Sequence, residues 1–122
     1  MNPAQVQRFV RSWFSEWVPD PPDFGPATRQ LAELIDHEPE QAWALILALV
    51  EHASNEYALD MVAAGPLEDL ICEHGLVFIN RIEELAATNQ RFKNCLSYVW
   101  GSNRLEASIY ARMRKAAGEE TL

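Results

Sequence analysis

Cysteine, glycine and long apolar runs are all scarce in this chain, and each scarcity removes a class of answer. Only two cysteines occur, Cys72 and Cys95, and neither belongs to a CxxC pair. A disulfide framework needs more cysteines and a secreted setting. Each of the two sits inside an apolar helical pattern, as a buried free thiol does. The five glycines are scattered singly, so no glycine-rich loop is available to cradle a phosphate. The most apolar run, Ala42 to Val50, is nine residues long, against the roughly 20 needed to span a bilayer. The first residues, Met1-Asn2-Pro3-Ala4-Gln5, are polar and unlike a secretory leader. The expectation is a soluble, cytoplasmic protein of a bacterium or phage.

Basic residues are the next shortage, and their location matters. Residues 12 to 90 hold fifteen acids but only two bases, Arg29 and Arg81, whereas both ends are mildly basic and the whole chain carries −8. Such a field repels nucleic-acid phosphate and anionic lipid and attracts basic surfaces. Nucleic acid and membrane are therefore excluded as partners and a basic protein is favoured. The four bases of the last helical segment, Arg104, Arg112, Arg114 and Lys115, make too weak a patch to reverse this.

Strand-like alternation is absent, and helical spacing recurs throughout. Asn2, Pro3 and Gln5 form an N-cap, first-turn proline and capping box. The helix they open, to about Val18, carries the stripe Val6, Phe9, Val10, Trp13, Phe14 and Trp17, the face of a helix docked on a core. The four prolines between Pro19 and Pro26 then break the chain. Helices are expected from about Ala27 to Asp36 and from Pro39 to His52, the latter apolar nearly all round and so central. Ser54 is the expected cap of a helix over Asn55–Ala64. Gly65 is expected to supply a left-handed stop, and Pro66 to open a short helix over Leu67–Glu73 that ends at Gly75. Further helices are expected over Leu76–Ala87, from Asn89 to Trp100, and from Arg104 to Ala117, where Asn103 and Glu106 suggest a second capping box. Residues Gly118–Leu122 are expected to fray.

The sum is one all-α domain spanning residues 1–122, a compact bundle of seven or eight short helices. Residues 1–26 hold the aromatic helix and proline-rich connector, 27–101 the helical core, and 102–122 the last helix and tail. Leu34-Ile35-Asp36-His37, Leu49-Val50-Glu51-His52 and Ile71-Cys72-Glu73-His74 echo one another. This suggests helical-repeat stacking of the HEAT or armadillo kind, although histidine also suits a helix C-terminus for its own reasons.

Catalytic patterns are thin. His37, His52 and His74 each lie near an acid, but on separate segments, and an adjacent acid points about 100° away on a helix. A metal site needs converging ligands, and no serine or cysteine lies in a GxSxG-type setting. No metal or other cofactor is expected, and no catalytic residue is assigned. The segment Ala63–Ile71 stands out because Glu68 and Asp69 would occupy a first helical turn, where negative charge is favoured.

The run Ala64-Gly65-Pro66-Leu67-Glu68-Asp69-Leu70-Ile71, with His74-Gly75, Phe78-Ile79, Ile82-Glu83, Ala86, Arg91-Phe92, Leu96 and Val99-Trp100, resembles an uncharacterised family of small bacterial helical domains of unknown function. The resemblance covers about residues 30 to 101 and leaves 1 to 26 outside. It implies a helical domain and transfers no catalytic residues.

The function these features favour is a non-catalytic, acidic protein-binding module, for example an immunity- or inhibitor-type protein masking a basic surface. Its expected binding residues are Glu40, Asp60, Glu68, Asp69 and Glu73, with Trp13 and Trp43 as aromatic anchors. Two other readings stand beside it: a small enzyme or metal protein using His37, His52 or His74 with acidic neighbours, and a structural homodimer formed through the N-terminal aromatic helix.

Overall fold

A computed structural model describes residues 1–119. Among these residues seven α-helices follow one another: α1 (Pro3–Trp17), α2 (Pro26–His37), α3 (Pro39–His52), α4 (Glu56–Val62), α5 (Glu68–Thr88), α6 (Gln90–Ser97) and α7 (Ala107–Ala116). The described residues contain no strand. None of these helices is long and apolar enough to cross a membrane.

α1 begins as its sequence dictates. The Asn2 side chain accepts from the Gln5 amide at 2.9 Å and the Gln5 side chain accepts from the Asn2 amide at 2.9 Å, which satisfies two of the donors every helix start leaves open. The aromatic stripe turns inward: Phe9, Val10 and Trp13 are buried, while Phe14 and Trp17 are half-buried against the same core. α3 lies centrally and packs on α1, α2, α4, α5 and α6, as its nearly continuous apolar surface requires. One contiguous set of buried side chains runs from Phe9 to Ala117.

The segment between α4 and α5 departs from expectation. Gly65 has no positive φ; among the described residues only Gly101 (φ 58°) and Gly118 (φ 86°) do. The backbone does not stop there but widens into one π turn over Ala63–Leu67, with Pro66 inside it. Proline lacks the amide that an α-helix interior needs and crowds the carbonyl four residues back; a local widening absorbs both. Gly65 is needed for proximity instead: a Cβ there would lie 2.7 Å from the Trp17 ring. Nor does a helix end at Gly75. α5 runs through it with a kink at His74, whose φ of −133° and ψ of 24° are non-helical. The echo at Ile71–His74 is therefore a bend within a helix, unlike those at His37 and His52.

Smaller shifts have simple causes. Asn55, not Ser54, caps α4 by accepting from the Ala58 amide at 2.8 Å. Gly101, in the left-handed region, ends the chain's run after α6, and the amides of Arg104 and Leu105 both turn back to its carbonyl. α7 consequently starts at Ala107, and Glu106 caps it alone through the Ser108 amide at 3.1 Å. Beyond α7 the Gly118 and Glu119 amides bond back to Lys115 and Arg114. The remainder of the expected frayed tail, residues 120–122, lies outside the described residues.

Two helices depend on side chains supplied from elsewhere. Gly25, at the cap position of α2, has no side chain to offer. Glu16 of α1 fills that role: its carboxylate accepts from the amides of Gly25, Ala27 and Thr28 and from the Thr28 hydroxyl, at 2.6 to 2.9 Å. Thr28 in turn accepts from the Trp17 indole at 2.9 Å. At the far end of α3, Arg91 donates to the carbonyls of Val50 and Ala53, complementing the negative end of that helix.

Candidate protein-binding surface

The kink in α5 is built by a similar borrowed cap. Ile35 lies in the last turn of α2, where carbonyls have no partner within the helix. The His74 ring Nε2–H donates to the Ile35 carbonyl at 2.6 Å. That bond ties α5 to the end of α2 at the point where α5 bends. Buried Gly75 follows, and a Cβ there would meet Ile109 of α7 at 3.0 Å, so the absent side chain lets α7 close on the bend.

The bend leaves the next two residues without cover. Leu76 is 80% exposed and Val77 60% exposed. They border a groove of about 320 Å³ between α5 and α7, lined also by Ile71, Ile109, Glu73 and Glu106. No lysine or arginine lines it. Glu73 stands beside Asp36 of α2; burial and then the hydrogen bond and charge of Asp36 push its carboxyl above the ordinary range, and His74 only partly offsets them. An apolar pair next to two mutually repelling acids is a surface that a basic, partly apolar partner would relieve.

The other expected binding residues are distributed around the molecule. Glu40 is held by both Nη atoms of Arg81 at 2.7 Å each. Glu68 and Asp69 share Arg104, at 2.7 and 3.0 Å. The expected acidic tip thus loses half its charge to Arg104, and Glu68 opens no free helix end because the π turn runs into it. Glu83 is likewise paired with Arg112. Asp60 is half-buried on α4 near Cys95 and Tyr98. Glu73 alone of the five reaches the groove. Trp13 is 1% exposed and stacks on Trp17 with ring centroids 4.9 Å apart, so it is a core side chain and cannot anchor a partner. Trp43 is half-buried, its ring 5.4 Å from Phe78 and 5.8 Å from Phe92.

Sequence reasoning passed over Leu76 and Val77, which it placed in the first turn of a new helix. Glu16 entered only as one of the fifteen acids of residues 12–90, with no role of its own. A glycine at the start of α2, with no capping side chain of its own, was the available sign that an acceptor must come from elsewhere.

The three histidines remain on separate segments, and no group of three or more metal-ligating side chains converges among the described residues. His52 Nδ1 lies 3.0 Å from the Ala48 carbonyl of its own helix. Neither thiol is activated. Burial pushes Cys95 up to about 12; burial also raises Cys72, and the nearby acids outnumber the one guanidinium, Arg104, that opposes them.

These features define a small all-α domain whose longest helix, α5, is bent and has an uncovered apolar groove at the bend. The chain belongs to a family of unknown function, DUF6869, whose sequence profile matches residues 21–121. That span is wider than the motif residues alone suggested: it takes in most of the proline-rich connector and the whole of α7, while α1 lies before it. No curated protein and no solved structure matches the chain.

Proposed function

We propose that this chain is a non-catalytic protein-binding module that masks a basic surface on another protein, in the manner of an immunity or inhibitor protein. The observation that carries the proposal is the exposure of Leu76 and Val77 beside Glu73. Two adjacent aliphatic side chains left in water forgo burial worth about 1.5–3 kcal/mol each, and a partner that covers them recovers it. The net charge of −8 favours fast capture of a cationic partner and a salt-sensitive complex. Support for a non-catalytic role comes from two histidines that lie against backbone carbonyls and from thiols whose ionisation is suppressed.

Photo-crosslinking in the native cell tests the proposal. A crosslinker at position 77 is expected to capture one basic protein that a crosslinker at position 30, on exposed α2 surface, does not. The purified pair should then bind with an affinity that falls as salt rises. Identical captures from both positions, or an affinity indifferent to salt, would overturn it.

A further inference from the structure

Resting on that binding role, we infer that the groove between α5 and α7 receives the apolar face of a basic amphipathic helix from the partner. The way in which folded domains take up peptide segments narrows the choice. Strand addition needs an exposed sheet edge, and the described residues contain no strand. Polyproline recognition needs an aromatic-lined groove, and no aromatic side chain lines this one. Phosphopeptide recognition needs an arginine cluster, and no arginine lines the groove; Arg104 is paired with Glu68 and Asp69. Of the modes in which an internal segment of a partner is taken up, a helix laid in a helical groove is the one this lining of exposed aliphatic side chains between two helices fits.

Size and charge agree with that occupant. A cavity of about 150 Å³ holds benzene, so about 320 Å³ has room for two aliphatic side chains. Glu73 and Glu106 line the groove and Asp36 stands beside Glu73; lysines or arginines flanking the apolar face of an incoming helix would meet them. A second copy of this chain is disfavoured, since a two-fold contact would bring the same three acids face to face.

The test uses the full chain, isotope-labelled, with three synthetic helical peptides of equal length. One carries a leucine face with lysine flanks, one a serine face with lysine flanks, and one a leucine face with glutamate flanks. The leucine–lysine peptide is expected to shift the amides of residues 71–77 and 106–109. The serine–lysine peptide should bind at least about tenfold more weakly, and the leucine–glutamate peptide should leave the spectrum unchanged. The double variant Leu76→Ser with Val77→Ser should also lose about tenfold or more. Both positions are exposed, so its spectrum elsewhere should be native, which separates lost binding from lost folding. Shifts spread over the acidic surface, equal binding by the double variant, or a dimer by light scattering that this variant abolishes would each overturn the inference. A crosslinked native partner whose affinity ignores the double variant would also overturn it, while leaving the binding role itself standing.

Discussion

Glu16 gives the sharpest test of how this fold is held. Its Oε1 takes the Gly25 and Thr28 amides and the Thr28 hydroxyl, and its Oε2 takes the Ala27 amide. In Glu16→Gln the oxygen can keep the three-donor side, but the amide NH₂ then faces the buried Ala27 N–H, donor against donor. Losing an N-cap acceptor costs about 0.5–2 kcal/mol, and a hydrogen bond to a charged acceptor is worth about 1.5–3 kcal/mol. These overlap, so the expected loss is about 2–3 kcal/mol. For 122 residues at about 2.1 cal/mol/K of unfolding entropy each, Tm should fall by roughly 8–12 °C. The pH dependence supplies a second readout. Burial pushes the Glu16 carboxyl up, but the bonds from the Thr28 side chain and from the Thr28, Gly25 and Ala27 amides outweigh it and leave the folded value lowered. A lowered folded value means that the unfolded state takes up the proton first. The contribution of Glu16 is therefore complete above the unfolded carboxylate range, near pH 4, and disappears as pH falls through the folded value. Thermal melts of both proteins between neutral and acid pH should show the gap narrowing in acid. A Glu16→Gln protein that melts within about 2 °C of wild type at neutral pH, with the same acid limb, would refute the reasoning.

Four other outcomes follow from particular contacts. Gly65→Ala should destabilise by up to about 2 kcal/mol, the roughly 1–3 kcal/mol of overpacking against Trp17 less a helix-propensity gain of about 1 kcal/mol; denaturant melts followed by tryptophan fluorescence read it. Arg91→Met should cost about 1 kcal/mol and raise amide exchange at the end of α3, since two carbonyls there lose a charged donor. With Cys95 pushed up to about 12, roughly one such thiol in ten thousand is ionised at pH 8; iodoacetamide should leave Cys95 unmodified in the native protein and alkylate it on unfolding, with Cys72 reacting first. Glu73 has a raised folded value, so protonation favours the folded state and its contribution worsens as pH rises through that range. Glu73→Gln should accordingly stabilise by roughly 0.2–0.5 kcal/mol at neutral pH after solvent screening, an advantage that vanishes in acid.

Why some of this was readable and some not comes down to the range of the interactions. Apolar spacing and local capping act within a few residues, so α1 with its Asn2–Gln5 box, α3 from Pro39 to His52, and the Asn89 cap of α6 stand where the pattern puts them. Family membership was also legible, in the run from Ala64 to Trp100 and its neighbours. Gly65-Pro66 and His74-Gly75 misled because punctuation residues have two uses. Gly65 was needed for the approach of Trp17 and Gly75 for that of Ile109, and neither partner is near in sequence. The candidate surface is the least legible part: Leu76 and Val77 look like any helical apolar pair until the bend at His74 turns them to solvent.

By itself, then, the order of residues determined that the chain is helical, where most helices start, which stripe of α1 turns inward, and that acids outnumber bases in the middle, whereas in α4 the packing buries Leu59 and leaves Tyr57, expected inward, exposed. Only the packed molecule decided which of those acids remain free. Arg81, Arg104 and Arg112 each reach a carboxylate 29 to 41 positions away, and Glu16 reaches an uncapped helix across the proline-rich connector. Charges and helix ends separated along the chain acquire partners only when tertiary folding sets them within hydrogen-bond distance, and no local pattern encodes that distance.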